Sequence, residues 1–349
     1  MIVRTVARTG IVALAAFAAF APVPDWAVER WYSGWLYPIL QSQITPLTNQ
    51  VPIALLDVVA ACLIAAGLWR FLRARRTSGF ARAALSAITG LVTVIAVVYL
   101  AFLFLWGLNY RRVPVEEKLD LDQSRVTSDA ARQLARDAVK RINELHPAAH
   151  LVQQAGPTLE QAFAAAQRRL GRTADTEIGV PKRSALELYF RWAAIDGMTD
   201  PFFLEIILNP DILPIERPFV LAHEWGHLAG YADEDEANLV AWLTCLEGNA
   251  ISQYSGWLAI YGHVMSGLPR GDRGPIAAQL SAGPRRDLQA IAERYALSKP
   301  VVRNVARETY DAYLRANRVE EGIASYDAVV RLILGAGPEH GWAPRARPR

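Results

Sequence analysis

The chain has 349 residues, of which 52% are hydrophobic, a formal net charge of +3 and two cysteines. That apolar share is high for a purely water-soluble protein, and the positive excess sits beside apolar runs rather than in an aromatic-interleaved basic stripe, so membrane elements are expected and a nucleic-acid partner is not. With only Cys62 in an apolar run and Cys245 in a helical pattern, a disulfide framework and a thiolate metal site are excluded, and any metal must be held by His and carboxylate.

Three apolar stretches open the chain. Residues 10–23, preceded by Arg4 and Arg8, form the shortest and are read as a retained transmembrane helix in preference to a cleaved signal peptide. Residues 51–72 and 84–108 are each long enough to cross roughly 30 Å of hydrocarbon. The loop between them carries Arg70, Arg73, Arg75, Arg76 and Arg82, whereas residues 24–50 hold only Arg30 against Asp25 and Glu29. This asymmetry puts the arginine loop in the cytoplasm and everything after about Arg112 on the extracytoplasmic side, with Arg111 and Arg112 opposing it. Trp26, Trp31, Tyr32, Trp35 and Tyr37 suit an interfacial segment at headgroup depth. Asp57, near the outer end of the second span, suits either a functional ionisable group or a hydrogen-bonded anchor.

From Val113 the composition turns charged and alanine-rich. Ser128 and Asp129 are placed to cap a helix running to about Leu145 and ended by His146-Pro147, and a second amphipathic helix is expected from near Thr158 with Glu160 in its first turn. His146 and His150 read as exposed loop residues rather than ligands. Leu186, Leu188 and Phe190 alternate and residues 202–208 form an apolar run, so short strands are expected around an Asp196-Gly197 turn, closed by Asn209-Pro210. A strand there could present its edge to an extended peptide or serve only as core. Residues 339–349, rich in Pro and Arg, read as a disordered tail.

The chemistry-bearing motif is His223-Glu224-Trp225-Gly226-His227. Histidines four apart on a helix share a face and can put two imidazole nitrogens on one ion, while Glu224 can reach a water held there without itself becoming a ligand. A metal lowers the pKa of such a water toward about 7, and Glu224 is placed to accept its proton as general base. Zn2+ is the expected ion, with a third protein ligand and one open position. Asp233, Glu234 and Glu236 compete for that role. Asp233 fits a metzincin-like register after Gly230; Glu234, with Asn238 four residues on, is similar to the gluzincin pair in which the second residue orients a ligand histidine. Glu234 is preferred, ahead of Glu236 and Asp233. His263 is a further nearby histidine, but a fourth protein ligand would fill the position a water needs. The apolar stretch continuing to about Gly267 is read as a core helix pair rather than another membrane hairpin. Tyr310, Tyr313 and Tyr326 fall on predicted C-terminal helices, where one of them could donate to an oxyanion or simply fill the core.

Several segments together resemble a bacterial family of membrane proteins, the domain of unknown function 3810 family. They are Trp106-Gly107-Leu108-Asn109-Tyr110-Arg111-Arg112, Pro201-Phe202, Pro218-Phe219 leading into His223-Glu224 and His227, Gly230, Glu234-Asp235-Glu236-Ala237-Asn238, Tyr313-Leu314, and Gly322-Ile323 with Ser325-Tyr326. The resemblance implies N-terminal transmembrane helices and a zincin-like domain, without a substrate. In that family the position of Asp233 is often basic, which favours a glutamate ligand. Phe203-Leu204-Glu205-Ile206 departs from the smaller, more polar run the family carries there.

The expected architecture is therefore a mainly α membrane protein: residues 1–112 with two to three transmembrane helices, then an extracytoplasmic zincin-like α+β domain, residues 113–338, with a small edge sheet. The expected function is a zinc metallohydrolase in a bacterial inner membrane, acting as an endopeptidase on peptide or protein substrates near the lipid bilayer. The alternatives are a zinc amidase acting on a non-peptide or cell-wall amide, and a non-catalytic zinc-binding membrane scaffold.

Overall fold

The computed structural model describes residues 2–172, 175–319 and 328–337; the expected tail and the Gly322–Tyr326 segment lie outside them. Helix α1 (Ile2–Phe20) is followed by a helical run made of α2 (Asp25–Ala27), a π-helical stretch (Val28–Leu36) and α3 (Tyr37–Thr48). The two are bent by 110°, at a break holding Pro22 and Pro24, neither of which can donate a helical N–H. The aromatic cluster divides within this run. Trp26, Trp31 and Trp35 are exposed, as an interfacial segment requires, but Tyr32 and Tyr37 are buried in the protein core, which corrects their assignment to the interface.

Helices α4 (Leu55–Ser78) and α5 (Phe80–Leu105) form a hairpin that turns at Gly79, whose φ of +80° favours a residue without Cβ. Both are long and apolar enough to cross a membrane; a third span arises if α1 and the bent run count as one. At 1.5 Å per residue they extend roughly 36 and 39 Å, against about 30 Å of hydrocarbon. They expose Leu63, Ile64, Leu68, Leu85, Ile88 and Leu91, a surface that lipid accepts and water penalises. At the far end from the arginine-bearing turn, the first amide of α4, Leu55 N–H, donates to the buried Glu205 carboxylate at 2.8 Å. Asp57 accepts from Ser184 Oγ and Ala185 N–H at 3.1 and 2.7 Å, the hydrogen-bonded anchoring role of its two readings.

The remaining elements are a 3-10 turn (Gly107–Arg111), α6 (Val115–Lys118), a second 3-10 turn (Gln123–Arg125), α7 (Ser128–Ala149), α8 (Leu159–Arg169), β1 (Pro181–Lys182), α9 (Glu187–Ala193), β2 (Gly197–Asp200), β3 (Glu205–Leu208), α10 (Arg217–Leu228), α11 (Glu234–Glu247), α12 (Ala250–Gly267), α13 (Arg270–Ala277), α14 (Ala282–Ala296), α15 (Pro300–Ala316) and α16 (Ala328–Ala336). The chain is thus mainly helical with one three-stranded sheet, ordered β1-β3-β2, in which β1 runs parallel and β2 antiparallel to β3. Three local expectations are corrected. The Leu186–Phe190 alternation lies at a short helix whose buried residues, Phe190 and Ala193, are three apart. The hairpin turn falls at residues 201–204, where Pro201 fixes φ and the Asp200 carboxylate accepts from Phe202 and Phe203 N–H; Asp196-Gly197 instead enters β2. Helix α7 is capped by the Thr127 hydroxyl and continues through Pro147 to Ala149, because a proline near the last turn removes one hydrogen bond without breaking the helix.

Helix α11 is buried nearly all round, with Leu239, Val240, Ala241, Trp242 and Leu243 each at most 1% exposed, and it packs against α8, α10, α12 and α16. Such a helix belongs in a protein core. Its partner α10 ends in four consecutive carbonyls that an α-helix and its exit cannot fully satisfy from within. Side chains from elsewhere donate to all four: Trp106 Nε1 to His227 O (2.9 Å), Tyr37 Oη to Leu228 O (2.8 Å), Arg172 to Ala229 O, and Arg112 Nη1 to Gly230 O (2.9 Å). The core consequently runs without a break from the N-terminal helices into α10 and α11, across residue 112. Removing only the Tyr37 hydroxyl, by Tyr37→Phe, leaves the Leu228 carbonyl buried without this donor. The expected loss is about 1–3 kcal/mol, measured as a lower unfolding midpoint of the full chain in detergent.

Candidate metal centre

Pro218 sits in the first turn of α10, where its missing N–H costs nothing, and Gly230, at φ +85°, turns the chain out of the helix. A Cβ on Gly230 would lie 3.0 Å from Asn109 Oδ1 and 3.1 Å from Tyr37 Cε1, so the turn also needs the absence of a side chain. Between these two signals the helix presents His223 and His227 on one face, with their Nε2 atoms 3.1 Å apart. The turn returns Tyr231 O to 2.8 Å from His227 Nδ1, and Asn238 Oδ1 on α11 lies 2.9 Å from His223 Nδ1. Both Nδ1 atoms thus face acceptors, which leaves both Nε2 lone pairs pointing at the same place.

Glu234, the first residue of α11, completes the group. Its Oε2 is 3.2 Å from His223 Nε2 and its Oε1 3.7 Å from His227 Nε2. The three ligand atoms lie within 4.8 Å of one another, and Glu234 is buried. Four-coordinate zinc at its usual bond lengths separates neighbouring ligand atoms by about 3.3 Å, against 3.1 Å between the two Nε2 atoms and 3.2 Å from His223 Nε2 to Glu234 Oε2. The donor set therefore fits a zinc-class ion. Asp233 and Glu236 do not join it: Asp233 precedes α11 as its N-cap residue, and the Glu236 carboxylate accepts from Val115 N–H at 2.5 Å. His263 belongs to neither of the two metal-capable groups among the described residues.

Charge is arranged to match. Burial disfavours the Glu234 carboxylate, yet the two imidazoles and the Tyr310 hydroxyl, which donates to its Oε1, hold it down to about 2. Burial works against protonation of His223 as well, but Glu234 overcomes it and raises this imidazole to about 9, while burial lowers His227 to about 4. A divalent cation in the same place would compete with protons for these atoms, since it needs neutral imidazoles and an ionised carboxylate.

Glu224 lies against β2. Thr199 Oγ1 donates to its Oε2 at 2.8 Å and to its backbone carbonyl at 2.9 Å. A Cβ on Gly197 would fall 2.5 Å from Glu224 Oε1, so the strand lets the carboxylate in only because residue 197 is glycine. Burial pushes the Glu224 carboxyl up to about 7, opposed by His223 and Thr199. That is the range in which a carboxylate takes and returns protons near neutral pH.

Tyr310 therefore lies on Glu234, while Tyr313 stacks on Tyr310 and meets Tyr110 edge-on, inside the core. Gly197, Thr199, Tyr110, Trp106 and Arg112 escape assignment to the site from sequence, since each acts through a contact made across the fold. The resemblance alone flagged the Trp106–Arg112 block. His146 and His150, read as loop residues, stand at the end of α7 beside Asp287.

In comparisons with known proteins, a family described as Protein of unknown function (DUF3810) matches residues 32–334. The chain belongs to that family. No curated protein and no solved structure matches it.

The geometry predicts which carboxylate matters for cation uptake. Glu234→Ala should remove one equivalent of Co2+ from the full chain in an equilibrium titration, and Asp233→Asn should remove none. Asn238→Ala should weaken that equivalent by about 10–100-fold, the usual effect of losing a group that orients a ligand histidine.

Proposed function

We propose that this member of the family is a membrane-anchored zinc metallohydrolase that cleaves peptide bonds, with His223, His227 and Glu234 as metal ligands and Glu224 as general base. The observation that carries this reading is the convergence of three donor atoms on one place beside a buried carboxylate that is not one of them. Bound zinc would supply Lewis acidity, polarising a substrate carbonyl and making a water acidic enough to lose its proton near neutral pH. Glu224 would hold that proton, kept on the substrate side by Thr199 and by the absent side chain of Gly197. It could then pass the proton to the leaving amine. Asn238 and Tyr231 O would fix the histidine tautomers. The β2 strand, at the sheet edge and against α10, offers backbone groups to an extended peptide.

The zincin-like reading of the domain rests on the same features: a helix bearing two ligands, a following helix bearing the third, and an edge strand alongside. We place the site on the extracytoplasmic side of a bacterial inner membrane, with the hairpin spanning it. In support, the hairpin ends that touch the site, at Leu55 and Trp106, are opposite the turn flanked by Arg73, Arg75, Arg76 and Arg82. Substrates would then be peptides or proteins held near the bilayer surface.

In detergent, the full chain should release fluorescence from a quenched peptide mixture. Glu224→Gln should abolish turnover by at least about 100-fold, the scale of general-base catalysis, while keeping its zinc. A Glu224→Gln variant as active as the parent would sink the mechanism, and loss of turnover with loss of zinc would reassign Glu224 to the metal. Orientation has its own check in intact cells, in a Cys62→Ser background. An impermeant thiol reagent should label Glu160→Cys on α8 and leave Ser78→Cys at the hairpin turn unlabelled; the reverse pattern overturns the topology.

A further inference from the structure

A second group of ligand-type side chains lies outside the site described above. His146, in the last turn of α7, and His150, which caps that helix, are four residues apart, and their rings stand 4.5 Å centre to centre. Both turn their Nε2 atoms to one oxygen of Asp287 on α14, at 3.5 and 2.9 Å, and one ligand atom from each of the three lies within 4.8 Å of the others. Two imidazoles four apart on a helix plus a carboxylate from a second helix repeat the donor set of the first site with different elements.

The surroundings are built for this arrangement. The buried Tyr254 on α12 donates its hydroxyl to the same Asp287 oxygen at 2.6 Å and presents its ring to both imidazoles, at 5.8 and 6.1 Å. Hydrogen bonding of a ligand carboxylate by a neighbouring donor is the usual support for a metal site. Across from Tyr254, a Cβ on Gly283 would lie 2.4 Å from His146 Cε1, so glycine there gives the ring its room. Arg286 adds positive charge nearby, and affinity must come from the ligands rather than from a pool of negative charge. Two imidazoles and one carboxylate favour zinc and its neighbours over calcium or magnesium, which prefer oxygen.

We propose that His146, His150 and Asp287 bind a second divalent transition metal of the zinc class, which clamps α7 to α14. The consequence reaches the first site. Two turns farther along α14, Arg294 holds Glu216 at 2.6 and 2.9 Å and Asp196 at 2.9 Å, and Tyr295 donates to Asp196. Glu216 is the N-cap residue of α10, and Asp196 immediately precedes β2. The second metal would thus steady the helix that fixes where the metal-bearing helix and the edge strand begin.

The test counts metal in the full chain in detergent, loaded with Co2+ and read by visible absorption and by elemental analysis, with folding checked by circular dichroism. His223→Ala/Glu234→Ala should retain one equivalent, and adding His150→Ala or Asp287→Asn should remove it. His150→Ala alone should drop the parent by one equivalent; His150 is the most exposed of the three, so this change leaves the core intact. Zn2+ should raise the thermal midpoint of His223→Ala/Glu234→Ala, and His150→Ala should cancel the rise. No equivalent in His223→Ala/Glu234→Ala, or one that survives both His150→Ala and Asp287→Asn, overturns the proposal. The first site is read separately by its own variants, so its failure leaves this count valid.

Discussion

The carboxyl end of α10 is the constraint on which the rest of the structure depends. A helix that ends in a dry interior strands carbonyl groups there. Here Trp106, Tyr37, Arg172 and Arg112 each supply a donor to one of four successive carbonyls. Two of these donors are guanidinium groups at the negative end of the helix dipole, where positive charge is stabilising. Three of the four come from residues 37–112, so the carboxyl end of α10 is completed only when the N-terminal helices have packed on it. The N-terminal helices and the site are one folding unit in this sense, whatever boundary composition suggests at residue 112.

Those guanidinium groups must be balanced in turn. Arg112 is almost wholly buried and pairs with Glu29 at 3.0 Å, Lys118 shares the same carboxylate at 2.7 Å, and Glu236 faces Arg112 while accepting from Val115 N–H. This explains why Asp233, Glu234 and Glu236, three of four consecutive carboxylates, have three separate fates. Glu234 meets the imidazoles, Glu236 serves the arginine network one turn of helix from Asp233, and Asp233 begins the helix. A buried charge left without its partner is costly, so each position is constrained by what it faces, and none can stand in for its neighbour.

Much of this was legible in the sequence wherever the signal was local. The hairpin α4–α5 follows from apolar runs longer than a soluble helix needs, and His223, Glu224 and His227 follow from helical spacing alone. The preference for Glu234 was a choice among neighbours that spacing could not make; its position facing the imidazoles depends on how α11 packs back on α10. Illegible features are those made by distant contacts. Thr199 and Gly197 matter because β2 lies along Glu224, and nothing in Gly197-Met198-Thr199 announces that. Alternation at Leu186–Phe190 favoured a strand, but Phe190 and Ala193 bury one side of a helix, a period that five residues cannot distinguish. Pro147 between His146 and His150 reads as the end of α7, whereas the helix continues past it and keeps the two rings together.

The placement of the membrane hairpin bears on what the site can meet. Helix α4 begins on the Glu205 carboxylate of β3, the strand paired with β2, and α5 runs into the Trp106 turn that caps α10. Each span is therefore tied within a few residues to an element of the site, without a flexible linker between. A connection so short allows the hairpin little freedom to reorient relative to the site. If the site is catalytic as proposed, confinement of that kind would raise the effective concentration of a substrate held in the same membrane without any new contact.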